Sequence, residues 1–379
     1  MTHAAPLGVY IHWPYCARIC PYCDFNVVRD RGRLDEQSAL ASAILDDLRA
    51  QAALTGPRTL VSVFFGGGTP SLMRPEWVGA MVAEARRLWP SAGEVEVTLE
   101  ANPTDAEAGR FAAFASAGVN RLSLGVQSLD DDALKFLGRN HDASQARRAI
   151  ALGRGLFERL SVDLIYARPG HGEAAWRREL AQMAALGPDH LSPYQLTIEP
   201  GAAFDRAVRR KVFSPLDPDR SARLYEATQA ALLREGFEAY EVSNHARPGA
   251  KARHNLVYWR GEDYVGAGPG AHGRLTLDGS RAATVGHGRV GDYIAAVAAA
   301  GTGFQTCETL TPVEAAEERL MLGLRISEGA PLAELTPLAM TRLDDLVEAG
   351  LLLRADGRLV ATPAGRLLLD RVISDLVIG

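Results

Sequence analysis

The sequence predicts a parallel α/β protein. Up to about residue 200, six short runs of β-branched and aromatic residues alternate with longer stretches of helical periodicity. Glycine, proline or polar residues follow the runs, where βα turns belong. Successive units of this kind pair their strands in parallel through right-handed crossovers.

The elements follow in order. Residues 8–13 form the first strand, and residues 37–53 repeat apolar side chains at helical spacing. A second strand at 61–65 ends in Gly66-Gly67-Gly68-Thr69-Pro70-Ser71, and Pro75 opens a helix over 75–88. The strand at 95–100 leads into Glu100-Ala101-Asn102-Pro103, and Thr104 followed by Asp105 and Glu107 reads as a capped, acid-rich start to a helix over 105–117. Strands at 121–126, 160–166 and 190–198 alternate with helices at 143–156 and 173–185. A helix at 219–235 and a strand at 238–242 extend the sheet edge, and a glycine- and proline-rich loop region spans 244–289. Beyond Thr311, which with Glu314 reads as a capping box, come helices, a hairpin around Asp356-Gly357 and a last helix from Pro363, a winged-helix-like order. The expected organisation is an α/β unit over 1–243, a loop-rich segment over 244–305 and a C-terminal domain over 306–379.

Composition excludes several classes. The chain has 379 residues, 47% of them hydrophobic and 23% charged, with a net charge of −5, which argues against disorder and against a general affinity for nucleic acid. Pro331 to Gly379 carries five arginines against seven acids, so the winged-helix-like tail does not expect nucleic acid either. The uncharged stretch at the start is interrupted by prolines and histidines and is too short to span a bilayer, so no transmembrane segment is expected. No basic n-region precedes it, and a reducing cytoplasm is the default location.

Of four cysteines, Cys16, Cys20 and Cys23 share one loop in C-x3-C-x2-C spacing, and Cys307 stands alone, expected as a buried, inert thiol. Three thiolates so close converge on one soft centre. With His12 they compose a Cys3His zinc site; without it they hold three corners of a 4Fe-4S cluster and leave one iron open. The position at the mouth of a strand, facing a glycine run, suits the open cluster.

Tyr10-Ile-His12-Trp-Pro14-Tyr-Cys16, the cysteine triad, Gly66 to Ser71 and Gly125-Val126-Gln127-Ser128 together resemble the radical S-adenosylmethionine (SAM) superfamily, over roughly residues 8 to 300. The resemblance is to the branch that contains oxygen-independent coproporphyrinogen III dehydrogenase, and it implies a partial (β/α)6 TIM-like barrel. It also implies a 4Fe-4S cluster on Cys16, Cys20 and Cys23, with SAM chelating the open iron and losing a C–S bond to an electron from the reduced cluster. Tyr10, Tyr22, Gly67, Gly68, Thr69, Glu100, Gln127, Arg139 and Asp163 would contact SAM, with Arg139 the partner of its carboxylate.

Within the branch, the dehydrogenase carries a further cysteine where this chain has Phe25, and a longer N-terminal arm. Cys-Pro-Tyr-Cys-Asp-Phe-Asn at 20–26 and Arg253-His254-Asn255-Leu256-Val257-Tyr258-Trp259 look instead like the HemW-type haem chaperones. That resemblance implies haem as a third ligand, with His254, Tyr258 and Trp259 at its site. The implied partners are a haem acceptor such as a respiratory enzyme, an electron donor for the cluster and a second copy of the chain. His245, His272 and His287 have no assigned role.

Overall fold

The computed structural model describes residues 4–91 and 93–377, without the side chains of 105 and 106. Six parallel strands stand side by side in chain order: β1 (Pro6–Trp13), β2 (Thr59–Gly67), β3 (Glu96–Ala101), β4 (Arg121–Gln127), β5 (Arg159–Tyr166) and β6 (His190–Gln195). Helices Leu34–Thr55, Pro75–Leu88, Ala143–Leu156 and Glu173–Ala185 connect them. Alternation along the strands divides their two faces. Leu7, Val9, Ile11, Val63, Phe65, Val97 and Leu99 pack outward against Leu40, Ile44, Val78 and Met81 of the helices. The inward face is polar, with Ser62, Glu96, Arg121 and Ser161 at its base.

The sheet is longer than the six strands. Beyond β6 lie two short antiparallel strands, β7 (Glu238–Ala239) and β8 (His245–Ala246). Beyond β1 lie β9 (Asp263–Ala267), parallel to it, and the meander β10 (His272–Leu277), β11 (Ser280–Gly286) and β12 (Phe304–Thr309). The order therefore runs from edge to edge without closing, a partial barrel with an added wall.

The expected loop over 244–289 is thus corrected to sheet and helix. Glycines that read as loop residues serve close strand packing: a Cβ on Gly266 would lie 2.0 Å from the His272 carbonyl oxygen, and one on Gly273 2.5 Å from Thr284 Oγ1. The expected strand at 238–242 stops early because the Glu241 carboxylate accepts from Ser243 N and Asn244 Nδ2 at 2.8 and 2.7 Å, forming a turn. The helix expected over 105–117 breaks after Ala108, where Arg110 donates to the carbonyls of Ser71 and Met73. Asp131–Phe136, Ala203–Arg209 and Val290–Ala300 are helices with no counterpart in the sequence reading.

The barrel is plugged from below. Helix Arg253–Trp259 lies against β1, β2 and β9, with His254 buried. Its first turn is seated by the Glu96–Arg121 ion pair (2.9 Å): Glu96 accepts from His254 N, and Arg121 donates to the Ala250 and Lys251 carbonyls. The C-terminal residues form a separate core around Leu320, Leu324, Leu335, Leu352, Leu359 and Val372, built from Pro312–Gly323, a three-stranded sheet and Leu369–Val377. The Thr311–Glu314 capping box is present. Among the described residues no helix is long and apolar enough to cross a membrane.

Candidate functional site

A cavity of about 150 Å³ opens at the carboxyl ends of β2 to β5. The cysteine loop forms its roof. Cys16 is paired with Arg29 in a two-residue parallel ladder, Tyr15–Cys16 with Val28–Arg29, which closes the loop. Pro21 is seated on Gly138, where a Cβ would lie 2.6 Å from Pro21 Cδ, and its carbonyl accepts from Phe204 N at 2.9 Å. Asn26 ends the loop by donating to the Pro269 and Gly288 carbonyls, both at 2.8 Å.

Cys16, Cys20 and Cys23 all line the cavity. Burial pushes the Cys16 thiol up to about 11, against the hydrogen bond from Thr69 Oγ1, and it also raises Cys23. Free, these thiols hold their protons; coordination has to displace them. His12 does not complete a zinc set: Nδ1 bonds with the Tyr10 hydroxyl at 3.0 Å and Nε2 with the Asn26 carbonyl at 2.8 Å. Among the described residues, no three His, Cys, Asp or Glu side chains converge as a single metal ion requires.

The glycine run forms one wall. Gly67 has φ +102°, and a Cβ there would lie 2.5 Å from the His12 ring; on Gly68 it would lie 2.7 Å from the Pro14 carbonyl carbon. The run is anchored from behind by Glu107, which accepts from Ser71 Oγ and from Asn102 N (2.8 Å). Glu107 is therefore more than the first-turn acid the sequence suggested.

Polar side chains from successive strands complete the site. Glu100 on β3 and Asp163 on β5 have pKa values pushed up to about 8 and about 7. For Glu100 the causes are burial and then the Asp163 charge, against a hydrogen bond from Gly67 N–H; for Asp163 burial outweighs the Ser192 hydroxyl and Arg139. Arg139 donates to Cys20 Sγ (3.1 Å), Tyr22 Oη (3.3 Å), the Gly125 carbonyl (2.9 Å) and Asn102 Oδ1. Burial pulls its guanidinium down, but Tyr22 and Cys20 raise it above its ordinary value. Two buried polar atoms of this wall have no protein partner among the described residues, Arg139 Nε and Gln127 Oε1. Gln127 has φ +69°, a left-handed conformation uncommon outside glycine, at a bulge where β4 leaves its register with β5.

Of the residues named for SAM, Tyr22, Gly67, Gly68, Thr69, Glu100, Gln127, Arg139 and Asp163 line the cavity. Tyr10 is not in the lining: its ring packs beside Phe64 and His254, at centroid distances of 6.2 and 6.4 Å, while those two rings stack on each other at 4.9 Å. Sequence reasoning missed Asn102, which lines the cavity and links Arg139 to Thr69. Its place just beyond the end of β3 was the available signal.

The residues named for haem lie elsewhere. His254 is 1% exposed, with Nδ1 bonded to Ser62 Oγ and Nε2 to Tyr258 Oη, both at 2.8 Å. Burial pulls its pKa down to about 3. It has no ring nitrogen free for iron while its helix is seated. The Trp259 ring is covered by Arg325, 4.9 Å from its centroid. Cys307 is exposed, not buried.

Comparison with known proteins agrees with this geometry. Residues 10–183 match the Radical SAM superfamily and residues 310–368 the HemN C-terminal domain. The chain is 39% identical to radical S-adenosyl methionine domain-containing protein 1, mitochondrial, of Bos taurus, over 98% of this chain and 87% of that protein. It is 37% identical to the haem chaperone HemW of Mycobacterium tuberculosis, over 98% and 95% respectively. In structure it is similar to coproporphyrinogen III oxidase (HemN) from Escherichia coli, with a TM-score of 0.81 and 20% identity over 98% of this chain and 90% of that one, a likeness of fold. The chain belongs to the radical SAM superfamily, in the family that includes radical S-adenosyl methionine domain-containing protein 1 and the haem chaperone HemW.

Proposed function

We propose that this protein holds a 4Fe-4S cluster on Cys16, Cys20 and Cys23, binds SAM in the cavity beneath it, and carries haem to an acceptor protein. The observation that carries the reading is one cavity at the strand ends lined by three cysteines, a glycine wall and two residues with unpartnered buried polar atoms. When bound, the cluster supplies an electron to the sulfonium of SAM.

The chain's own groups fit that ligand. Gly67 and Gly68 leave the main chain bare for close approach of the methionine end. Arg139 Nε is the donor left for a carboxylate, and Gln127 Oε1 the acceptor left for an N–H. Glu100 and Asp163 face a cationic ammonium or sulfonium, which would draw both toward the ionised form.

The haem part is supported by the likeness to proteins named haem chaperones and by Phe25 at the position of the dehydrogenase's extra cysteine. Anaerobic purification followed by iron and sulfide analysis and visible absorbance tests the cluster; absence of iron and sulfide from the wild type would sink it. Haem transfer to a defined apo-acceptor tests delivery. Incubation with coproporphyrinogen III tests the rival, and formation of protoporphyrinogen would make the protein an enzyme of porphyrin synthesis. A haem acceptor, an electron donor and a second copy of the chain remain the proposed partners.

A further inference from the structure

Two of the three cavity cysteines receive a side-chain hydrogen bond, Cys16 from Thr69 Oγ1 at 3.6 Å and Cys20 from Arg139 Nη1 at 3.1 Å. Asn102 touches both donors. Its Oδ1 accepts from Arg139 Nη2, and its Nδ2 donates to Thr69 Oγ1 at 3.3 Å. One amide thus connects the side chain that serves Cys16 to the side chain that serves Cys20, and all five residues line the same cavity.

The chemistry of the groups fixes the direction of this chain. A guanidinium carries donors only, so the amide oxygen of Asn102 has to face Arg139, and the amide nitrogen faces Thr69. There the nitrogen donates, so the Thr69 oxygen is the acceptor and its own proton is left for the Cys16 sulfur. On the other arm, Asn102 and the Gly125 carbonyl hold Nη2, which leaves Nη1 aimed at Cys20 and Tyr22. Hydrogen bonds linked in series polarise one another.

Asn102 is itself held through its backbone. It lies just beyond β3 and precedes Pro103, whose ring disfavours helical backbone at the residue before it. Its N–H donates to Glu107 at 2.8 Å, the same carboxylate that accepts from Ser71 Oγ, and Arg110 donates to the Ser71 carbonyl at 2.7 Å. The backbone sets the position, and the side chain makes the bridge.

We propose that Asn102 is a positioning residue for the cluster, aiming Thr69 and Arg139 at the sulfurs of Cys16 and Cys20 and thereby raising the reduction potential. The proposal rests on the cluster-binding reading above. Reduction adds negative charge to a cluster, so donors directed at its sulfurs favour the reduced state. Without the amide, the Thr69 hydroxyl is free to turn from the sulfur, and Arg139 Nη2 loses one of its two acceptors.

The test is potentiometric titration of the anaerobically reconstituted full chain without SAM, followed by electron paramagnetic resonance of the reduced cluster. Asn102→Ala is expected to lower the ratio of reduced to oxidised cluster at a fixed potential by about tenfold, the effect of one hydrogen bond to a charged group. For a one-electron couple that is about 59 mV. Asn102→Asp keeps the shape and the acceptor for Arg139, but its second oxygen draws the Thr69 proton away from Cys16. Thr69→Val should therefore lower the potential of the wild type and change that of Asn102→Asp little. The resonance spectrum should follow the same pattern.

If Asn102→Ala takes up no cluster, the comparison of Thr69→Val in the wild-type and Asn102→Asp backgrounds decides. Equal shifts in both backgrounds would overturn the proposal, and so would a wild-type potential and spectrum in Asn102→Ala. Weaker SAM binding at an unchanged potential would also overturn it and make Asn102 a ligand contact. A wild type without iron and sulfide would instead defeat the cluster-binding reading, and this proposal with it.

Discussion

Arg139 and Cys20, 119 residues apart in sequence, are joined by a 3.1 Å hydrogen bond from a buried guanidinium to a candidate cluster sulfur. The same fork holds Tyr22, Asn102 and the Gly125 carbonyl, so one side chain ties the roof of the cavity to two of its walls. A Cβ on Gly125 of β4 would crowd Gln127 Nε2 at 3.0 Å, while Arg139 Nη2 would lie at an ordinary contact distance of 3.4 Å.

Replacing Arg139 by lysine keeps the charge but loses the fork. Hydrogen bonds to charged groups contribute about 1.5–3 kcal/mol each, so SAM affinity is expected to fall by roughly ten- to a hundredfold. Calorimetric titration of the anaerobic protein measures this. An unchanged affinity would remove Arg139 from the site.

Gly68→Ala forces a methyl group against the Pro14 carbonyl. Overpacking of this kind costs about 1–3 kcal/mol, and the displaced loop should also weaken SAM. Gly155 gives the contrast, since it lies in helix Ala143–Leu156 with nothing within 4 Å of an added Cβ. Gly155→Ala should raise stability by about 0.4–1 kcal/mol. Urea unfolding of both variants separates wall packing from general glycine effects.

Glu100 and Asp163 hold protons in the folded chain that they release on unfolding, with pKa values of about 8 and about 7 against ordinary values of 4.5 and 3.8. Between the ordinary and the raised values the native state binds more protons, so their contribution to stability falls as pH rises. Buried His141, His171, His245 and His254 act in the opposite sense, but only below their ordinary 6.5. The ligand-free protein should therefore lose stability from pH 6.5 to 8, and Glu100→Gln should flatten that slope. Unfolding curves at a series of pH values decide it, and an equal slope in the variant would count against a raised Glu100.

The Glu96–Arg121 pair seats the helix that plugs the barrel. Removing one partner of a buried pair costs about 3–5 kcal/mol, so Arg121→Ala should be severely destabilising. Arg121→Met with Glu96→Gln should recover part of the loss. Hydrogen exchange at 253–259 should rise in Arg121→Ala, because the Ala250 and Lys251 carbonyls lose their donor.

Local signals in the sequence determined the barrel and most of its rim. Strand alternation, capping boxes and the glycine run act over a few residues, and helices Pro75–Leu88, Ala143–Leu156 and Glu173–Ala185 have the bounds their periodicity predicts. The cysteine spacing and the residues ending each strand placed the cavity, because βα topology brings strand ends to one rim whatever the intervening helices contain.

Tertiary structure decided what local pattern does not encode. Glycines at 266 and 273 read as loop residues until the strands beside them show that no side chain fits. His254 reads as a loop histidine beside two aromatics until Glu96 and Arg121, from β3 and β4, seat its helix in the barrel and both ring nitrogens find partners. Whether an imidazole is free for iron depends on burial and on hydrogen bonds made by residues far away in sequence. Those partners are fixed only when the chain has folded.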